Sequence, residues 1–316
     1  MVQVNLAFYC YPKKEAIDDF RKVGALISAR APEIKVSVLS TASVLTPLPT
    51  AALAMRPTLS IEMDRLKWLR PLRGTRLVHQ HMGKIRELAV LEAAGLPVPK
   101  WVEIVPGTKL DPAVWGPYVV VKPSHGARGA FVRITKTGRV RYTDPVDYPE
   151  EHAGRRSPML AQRYVHTGRW PKAYRVLTYL GRPLMSLQYE GRKDFTPLES
   201  PDGFRHGQGE SIIASAKGCT VALAVDQDVL DLAVQTHAVL PTIPSLGVDI
   251  LRDEATGNLQ LIEINPSGNS WMLCGTTGRE MQEQFGLNFY EQFGALDIIA
   301  EASIEAARKI RGEPDR

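Results

Sequence analysis

The sequence is poor in cysteine, in long apolar runs and in clustered charge, and each shortage excludes a class of protein. Its three cysteines, Cys10, Cys219 and Cys274, are far apart and odd in number, which excludes a disulfide scaffold and a cysteine-based zinc site. We expect them to be small buried residues in a reducing cytosol. No apolar stretch reaches membrane-spanning length, and no basic segment precedes the first apolar run, as it would in a secretion signal. These features predict a cytoplasmic protein without a membrane partner.

The composition is otherwise that of an ordinary globular chain. The 316 residues are 44% hydrophobic and 23% charged, so the chain can bury a large core divided into two or three lobes. A net charge of +5 favours an anionic partner, such as a nucleotide, a phosphorylated metabolite or an acidic peptide. Nucleic acid is not expected as a partner, because the positive charge is mostly dispersed and is not interleaved with aromatic residues.

One segment does concentrate positive charge. It runs from Arg65 to Arg86, holds seven lysines and arginines and no acid, and is called the basic stretch below. Leu66, Leu69 and Leu72 recur in it at helical spacing, so a solvated helix packed on its leucine side is one explanation. The alternative is a basic surface that recruits an acidic peptide or a phosphorylated substrate. The sequence leaves both open.

The first 80 residues predict a small α/β lobe. Val4 to Tyr9 has the pattern of a strand, Glu15 to Arg30 that of a helix and Ile34 to Leu39 that of a second strand, and this order predicts parallel pairing. No GxGxxG follows the first strand, so we do not expect the lobe to bind a dinucleotide. We assign it a structural or substrate-side role.

The segment 246–270 is the most informative one and predicts a β-hairpin. Its apolar residues alternate with polar ones on both arms. We expect Val248 to pair with Ile264, and Ile250 with Ile262.

That pairing would place Asp249 opposite Glu263, with Asn265 two residues further along the same face. Two neighbouring carboxylates repel each other, and a hard divalent cation such as Mg²⁺ relieves the repulsion. A hairpin with an acidic solvent face is the plain alternative. The polar turn at 266–269, directly after a buried strand, favours the metal site.

A second glycine-containing turn, within residues 118–134, predicts a phosphate-binding flap. An apolar strand ends at Lys122 and is followed by a loop that contains Gly126 and Gly129. The loop is not a Walker A motif, because no GK[ST] closes it and no helix follows. Glycines let backbone N–H groups approach phosphate oxygens closely, and lysine adds a positive charge. A plain hairpin with a glycine turn is the alternative, but a lysine at the end of a buried strand argues against it.

The ATP-grasp superfamily is what the chain resembles in the order and spacing of five features: Lys84, the Lys122 strand with its loop 126–129, the strand 162–165, Arg175, and the hairpin of Asp249, Glu263 and Asn265. Within the superfamily, the segments 204–209 and 247–270 most nearly resemble the glutamate-adding and peptide-ligase branch. The match runs from about residue 81 to 300. The resemblance implies an α/β (α+β) fold in which two α/β lobes grip ATP, preceded by a small Rossmann-like domain. The domains it implies are 1–80 (N-terminal), 81–166 (central ATP-grasp) and 167–316 (C-terminal ATP-grasp, with the metal site).

The resemblance also implies the nucleotide contacts. Two lysines would hold the α- and β-phosphates, the glycine loop would close over the γ-phosphate, and the strand near residue 162 would bind adenine through a glutamine side chain and backbone groups. The residues concerned are Lys84, Lys122, Ser124, Gly126, Arg128, Gly129, Gln162, Arg163, Tyr164 and Val165.

The same resemblance implies the reacting groups. Asp249, Glu263 and Asn265 would hold two Mg²⁺ ions, with Mn²⁺ as an alternative metal. Three residues are implied as catalytic, of which the first would neutralise charge during phosphoryl transfer and the other two would face the acyl phosphate or its acceptor: Arg175, Arg205 and Asn269.

One departure from the family pattern concerns the ribose. Many relatives place an acidic residue shortly before the equivalent of Arg175, where it grips the ribose. Here the segment 168–172 is basic. The resemblance therefore leaves the ribose contact unassigned.

These features lead us to expect an ATP-dependent carboxylate–amine ligase. It would join a small-molecule or peptide carboxylate to an amine acceptor through an acyl phosphate, and it could act as a homodimer. The expected chemistry needs no side-chain nucleophile, in agreement with the absence of a Ser/His/Asp or Cys/His arrangement. Three alternatives stay open: a kinase, a macrocyclase that forms esters or lactams in a ribosomal peptide, and a nucleotide sensor without turnover.

Overall fold

The computed structural model describes residues 4–10, 14–40, 56–63, 71–80, 82–126, 129–191, 219–266, 271 and 273–312. None of the helices in these ranges is long and apolar enough to span a membrane. Three sheets organise the described chain, at residues 4–78, 101–163 and 172–265. The domain boundaries given above stay a prediction.

The N-terminal sheet has four parallel strands in the order β2-β1-β3-β4. The strands are β1 (Val4–Cys10), β2 (Ile34–Ser40), β3 (Leu59–Glu62) and β4 (Thr75–Val78). Helix α1 (Lys14–Arg30) joins β1 to β2 and packs Phe20 against Phe8, with 5.1 Å between the ring centroids. The predicted parallel strand–helix–strand unit is confirmed.

The leucine-packed helix, one of the two explanations for the basic stretch, is wrong for residues 71–80, whereas Lys84 to Arg86 do begin a helix. Thr75–Val78 is a strand that pairs with β3, and Leu72 is 66% exposed instead of packed. Arg76 extends from this strand and donates two hydrogen bonds to Glu62, at 2.6 and 2.8 Å. Pairing with the buried strand β3 therefore determines the structure here, and the helical spacing of the leucines does not. Residues 64–70 lie outside the described ranges.

The central sheet has four antiparallel strands in the order β5-β8-β6-β7. Its strands are β5 (Trp101–Glu103), β6 (Tyr118–Pro123), β7 (Arg133–Lys136) and β8 (Met159–Arg163). Helix α2 (Lys84–Ala93) precedes it and is followed by Gly95, whose φ of 75° suits the turn that ends the helix. A one-turn helix, α3 (Pro112–Trp115), leads into β6.

The C-terminal sheet has five antiparallel strands in the order β11-β10-β9-β12-β13. They are β9 (Lys172–Tyr179), β10 (Arg182–Gly191), β11 (Cys219–Leu223), β12 (Ser245–Arg252) and β13 (Leu259–Asn265). The described residues of this part of the chain also form three helices: α4 (Gln227–Ala238), α5 (Thr276–Phe285) and α6 (Ala295–Arg311).

The N-terminal and C-terminal sheets share one apolar core, whereas the central sheet has its own. Members of the shared core come from both sheets and from α1 and α6, and include Phe8, Phe20, Ile61, Tyr179, Leu187 and Ile299. The core of the central sheet consists of Ile104, Trp115, Val119, Val121, Val140, Met159 and Ala161.

The β12–β13 hairpin contains a β-bulge that the sequence did not predict. Asp249 lies opposite Glu263 as expected, but the next pair is Ile250 with Leu261, so the predicted pairing with Ile262 is wrong. The extra residue lets Leu261 turn into the core, where it is fully buried. Burial of this side chain explains why the register shifts here.

Candidate active site

Strand pairing places four polar side chains on one face of the C-terminal sheet. Asp249 on β12 lies opposite Glu263 on β13 and opposite Arg175 on β9, and Asn265 lies two residues beyond Glu263. The alternate residues, such as Val248, face the core beneath α4. The predicted convergence of the two acids and the asparagine is therefore present.

Asp249 is held by three hydrogen bonds. Arg175 donates from Nε and Nη2 at 2.7 Å each, and Asn265 donates from Nδ2 at 3.0 Å. Burial by itself lowers the pKa of Arg175, but the Asp249 carboxylate outweighs burial and raises it, so the guanidinium stays charged. This two-pronged contact fixes the orientation of both side chains.

Two lysines reach the same place from the central part of the chain. Lys84 Nζ lies 3.2 Å from Glu263 Oε1 and donates to Gly126 O at 3.1 Å. Lys122 Nζ donates to Ile262 O at 2.9 Å. The two lysines are only 8% and 5% exposed, and burial lowers the pKa of Lys122 to about 8, although Glu263 opposes the shift.

The β-bulge explains how Lys122 is accommodated. At a bulge the extra residue is left out of the regular ladder, so its carbonyl needs another partner. The Ile262 carbonyl finds that partner in the Lys122 ammonium group. The central and C-terminal sheets thus meet through a buried charge-assisted hydrogen bond.

The start of α2 is tied to the loop after β6. Lys84 N donates to Ser124 O at 2.9 Å, and Ile85 N donates to Ser124 Oγ at 3.4 Å. A Cβ on Gly83 would lie 2.6 Å from Ser124 Oγ, so a larger residue here would displace the Ser124 side chain from this contact. Gly129, further along the loop, has a φ of 70°. Arg128 lies outside the described residues, as do Arg205 and Asn269, so their predicted roles stay predictions.

The strand β8 supplies a polar side chain to the face of the central sheet that carries Lys122. Val119 and Val121 face the core of that sheet, so alternation places Lys122 on the opposite face. Gln162 lies opposite Val120 and shares that face. It is buried, and its Nε2 has no hydrogen-bond partner among the described residues. An unpaired buried amide is costly and suits a ligand that accepts a hydrogen bond.

The residues after β8 are held by the turn of the β12–β13 hairpin. Glu254 N donates to His166 O at 2.8 Å, and Glu254 Oε2 lies 3.1 Å from His166 Nε2. Gly168 has a φ of 101°, and a Cβ there would lie 2.9 Å from Glu254 Oε1. The structure therefore places an acid beside a segment whose own sequence is basic.

Glu87 is a site residue that the sequence analysis missed. It lies one turn after Lys84 on α2, and its side chain is 5% exposed. Burial first, and Glu263 second, raise the pKa of Glu87 to about 8, whereas Lys84 and Lys122 act in the opposite direction. An acid three residues after a buried lysine, on the leucine-bearing side of a helix, was the available signal.

The donor set fits a hard divalent cation. Asp249 and Glu263 are partly exposed carboxylates on one face, and the Asn265 amide adds a third oxygen, which is the ligand chemistry that Mg²⁺ prefers. Among the described residues there is no group of three or more His, Cys, Asp and Glu side chains that could hold a metal, so the asparagine is needed to complete this set.

The fold of the chain is the ATP-grasp fold, and the predicted α/β class is confirmed. No family model and no curated protein matches this sequence. Among solved structures, D-alanine–D-alanine ligase from Bacillus anthracis in complex with ATP is similar, with a TM-score of 0.52 and 14% identity over 98% of this chain and 99% of the other. The ATP-grasp ligase PsnB, in complex with a minimal precursor, Mg and ADP, has a TM-score of 0.52 and 16% identity, covering 97% and 99%. The D-cycloserine synthetase DcsG has a TM-score of 0.51 and 16% identity, covering 96% and 99%.

Proposed function

We propose that this protein is an ATP-dependent carboxylate–amine ligase that works in the cytoplasm. The observation that carries the proposal is the meeting of Asp249, Glu263 and Asn265 with Lys84 and Lys122 in one partly buried site. Such a set provides oxygen ligands for a metal and cations for a triphosphate side by side. The fold shared with ligases solved with ATP, or with ADP and Mg, supports the proposal.

In the proposed complex, the phosphates would replace the present partners of the lysines, and the metal ions would replace the present partners of the acids. Lys84 and Lys122 would turn from Glu263 and the Ile262 carbonyl to the α- and β-phosphates. Asp249 and Glu263, with Asn265, would then hold two Mg²⁺ ions, or Mn²⁺ in their place. The bound ions would screen the phosphate charge and polarise the γ-phosphoryl group.

The reaction then needs charge stabilisation and alignment. A carboxylate oxygen of the substrate attacks the γ-phosphorus, the bond to ADP breaks, and an acyl phosphate forms. The amine nitrogen next attacks the acyl carbon, inorganic phosphate leaves, and the nitrogen loses a proton, which gives the amide. Arg175 would offset negative charge in the first step. Arg205 and Asn269 would face the acyl phosphate or its acceptor.

The nucleoside contacts complete the proposal. Gln162 Nε2 would donate to adenine, together with backbone groups of Arg163 and Val165. Glu254 supplies the acidic side chain that the segment 168–172 lacks. We assign it to the ribose, because a carboxylate readily accepts hydrogen bonds from the ribose hydroxyl groups.

The decisive experiment is trapping with hydroxylamine. The protein is incubated with ATP, Mg²⁺, hydroxylamine and, one at a time, amino acids, dipeptides and acidic peptides as carboxylates. A ligase releases ADP and yields a hydroxamate with its own substrate, because hydroxylamine intercepts the acyl phosphate. A kinase would release ADP and yield a phosphorylated product without hydroxamate, and a nucleotide sensor would release no ADP.

A further inference from the structure

We propose that His79 is a positioning residue that fixes the place of Asn265, the amide at the end of β13, by holding the residue that follows it. The inference rests on the proposed function, in which Asn265 is a metal ligand. His79 lies in the basic stretch, directly after β4 of the N-terminal sheet. Its side chain is buried, although nothing in the proposed chemistry uses it.

The contact joins His79 to the first residue after β13. His79 Nδ1 lies 2.5 Å from Pro266 O. A carbonyl oxygen only accepts hydrogen bonds, so Nδ1 must carry a proton and donate it. Both residues are buried, so the bond is largely shielded from competing water.

The end of β13 needs such a contact. Asn265 and Gly247 form the terminal pair of the β12–β13 hairpin, and Pro266 has no N–H with which to continue the ladder. The Asn265 side chain reaches Asp249, with 3.0 Å between Nδ2 and Oδ2. Backbone rotation at the end of the strand would swing this side chain away. A fixed Pro266 carbonyl therefore keeps the Asn265 amide on the face that carries Asp249.

Both sides of this contact are anchored. Val78 N, one residue before His79, donates to Thr242 O at 2.8 Å, which ties the end of β4 to the segment before β12. On the other side, Trp271 is buried in the shared core, and its Nε1 donates to Asp19 Oδ2 of α1 at 3.3 Å. Loss of the His79 bond would therefore loosen the end of β13 without detaching the chain that follows.

Docking of the N-terminal sheet on the C-terminal sheet is the competing explanation for a buried side chain at this place. That docking is already provided by the apolar core to which both sheets contribute. A buried imidazole costs free energy unless it is bonded, and an apolar side chain of similar size would dock the sheets without that cost. The two explanations therefore make opposite predictions for His79→Leu.

Two substitutions of His79 separate the explanations. His79→Asn keeps a nitrogen attached to Cγ, at the place of Nδ1, and this nitrogen can donate to Pro266 O. His79→Leu keeps the apolar bulk but has no donor. Gln80→Leu, at the exposed neighbouring residue, is the control for the introduction of a leucine. Unfolding temperatures of all variants verify that the fold is retained.

The first measurement is the gain in affinity for the non-hydrolysable nucleotide AMPPNP when Mg²⁺ is added, by titration calorimetry. We expect His79→Leu to reduce this gain about tenfold, the size expected for the loss of one buried hydrogen bond. We expect His79→Asn and Gln80→Leu to stay within about threefold of the wild type. An undiminished gain in His79→Leu, or an equal loss in His79→Asn, would overturn the proposal.

The second measurement needs neither a nucleotide nor a substitution. In the ligand-free protein, the nitrogen NMR shifts of the His79 ring distinguish a protonated nitrogen from one with a free lone pair. We expect Nδ1 to carry a proton. A lone pair on Nδ1 contradicts the positioning role whatever the protein catalyses. Wild-type protein that binds no Mg·AMPPNP contradicts the proposed function instead, so the two failures can be told apart.

Discussion

The central and C-terminal parts of the chain bring opposite charges to the candidate active site. From the central side come Lys84 and Lys122, whereas β12 and β13 bring Asp249 and Glu263. Neither set is complete alone, and without ligands the charges pair with each other or with backbone. In the candidate site, each of these charged side chains therefore already has a partner within the protein. Phosphate and metal would each replace a partner that the protein already provides.

Removal of a lysine that comes from the central part of the chain should have the largest effect on catalysis. We expect Lys122→Met to lower kcat/KM for ATP about 10³-fold, because a buried positive charge beside the phosphates is lost. Stability should change little, since the lost desolvation cost of the ammonium group offsets the cost of leaving the Ile262 carbonyl without its partner. Steady-state kinetics and thermal unfolding measure both effects. Lys136→Met, an exposed lysine on β7, should behave like the wild type.

Turnover by Lys122→Met at a near wild-type rate would contradict the role of the central cations.

Removal of an anion from the C-terminal sheet should act through the metal. We expect Glu263→Gln to lower turnover about 10²-fold and to raise the Mg²⁺ concentration needed for half-maximal rate, because a charged ligand is replaced by a neutral one. Titration of the rate with Mg²⁺ measures the shift. An unchanged Mg²⁺ requirement would contradict the assignment of Glu263 as a metal ligand. Glu283→Gln, on the exposed side of α5, is the matched control.

A third substitution tests the bulge that supports the anionic side. Leu261→Ala should lower the free energy of unfolding by about 2–4 kcal/mol, because it leaves a cavity in the core beneath α4. Ile262→Ala, at the partly exposed bulge residue, should cost less than about 1.5 kcal/mol. Urea denaturation distinguishes them. A larger loss in Ile262→Ala than in Leu261→Ala would favour the regular hairpin that the sequence predicted, in which Ile262 faces the core.

The smallest effect is expected at the nucleoside end. Glu254→Gln should raise KM for ATP about fivefold, since a charge-assisted hydrogen bond to a hydroxyl becomes a neutral one. The same substitution should have little effect on KM for 2′,3′-dideoxy-ATP, which lacks both hydroxyls. A similar rise with both nucleotides would indicate that Glu254 only holds His166 and the segment after β8.

The sequence predicts those parts of the site that depend on local pattern. The opposition of Asp249 and Glu263 follows from strand alternation, and the place of Lys122 follows from its position at the end of a buried strand. The bulge escaped prediction, because it depends on how Leu261 fills a core built from distant residues. Glu254 and Glu87 escaped for the same reason. Their partners lie far along the chain, and only the folded structure brings them together.

The apolar core shared by the first and last sheets determines which parts of the molecule can move or melt together. A side chain such as Phe8 or Tyr179 cannot leave it without exposing residues from both sheets, so these two parts should lose structure in one cooperative step. The central sheet is packed around separate residues, and its contacts with that unit include the polar ones made by Lys84, Lys122 and His166. We therefore expect the binding of a nucleotide between the central and C-terminal sheets to depend on charge more than on apolar packing.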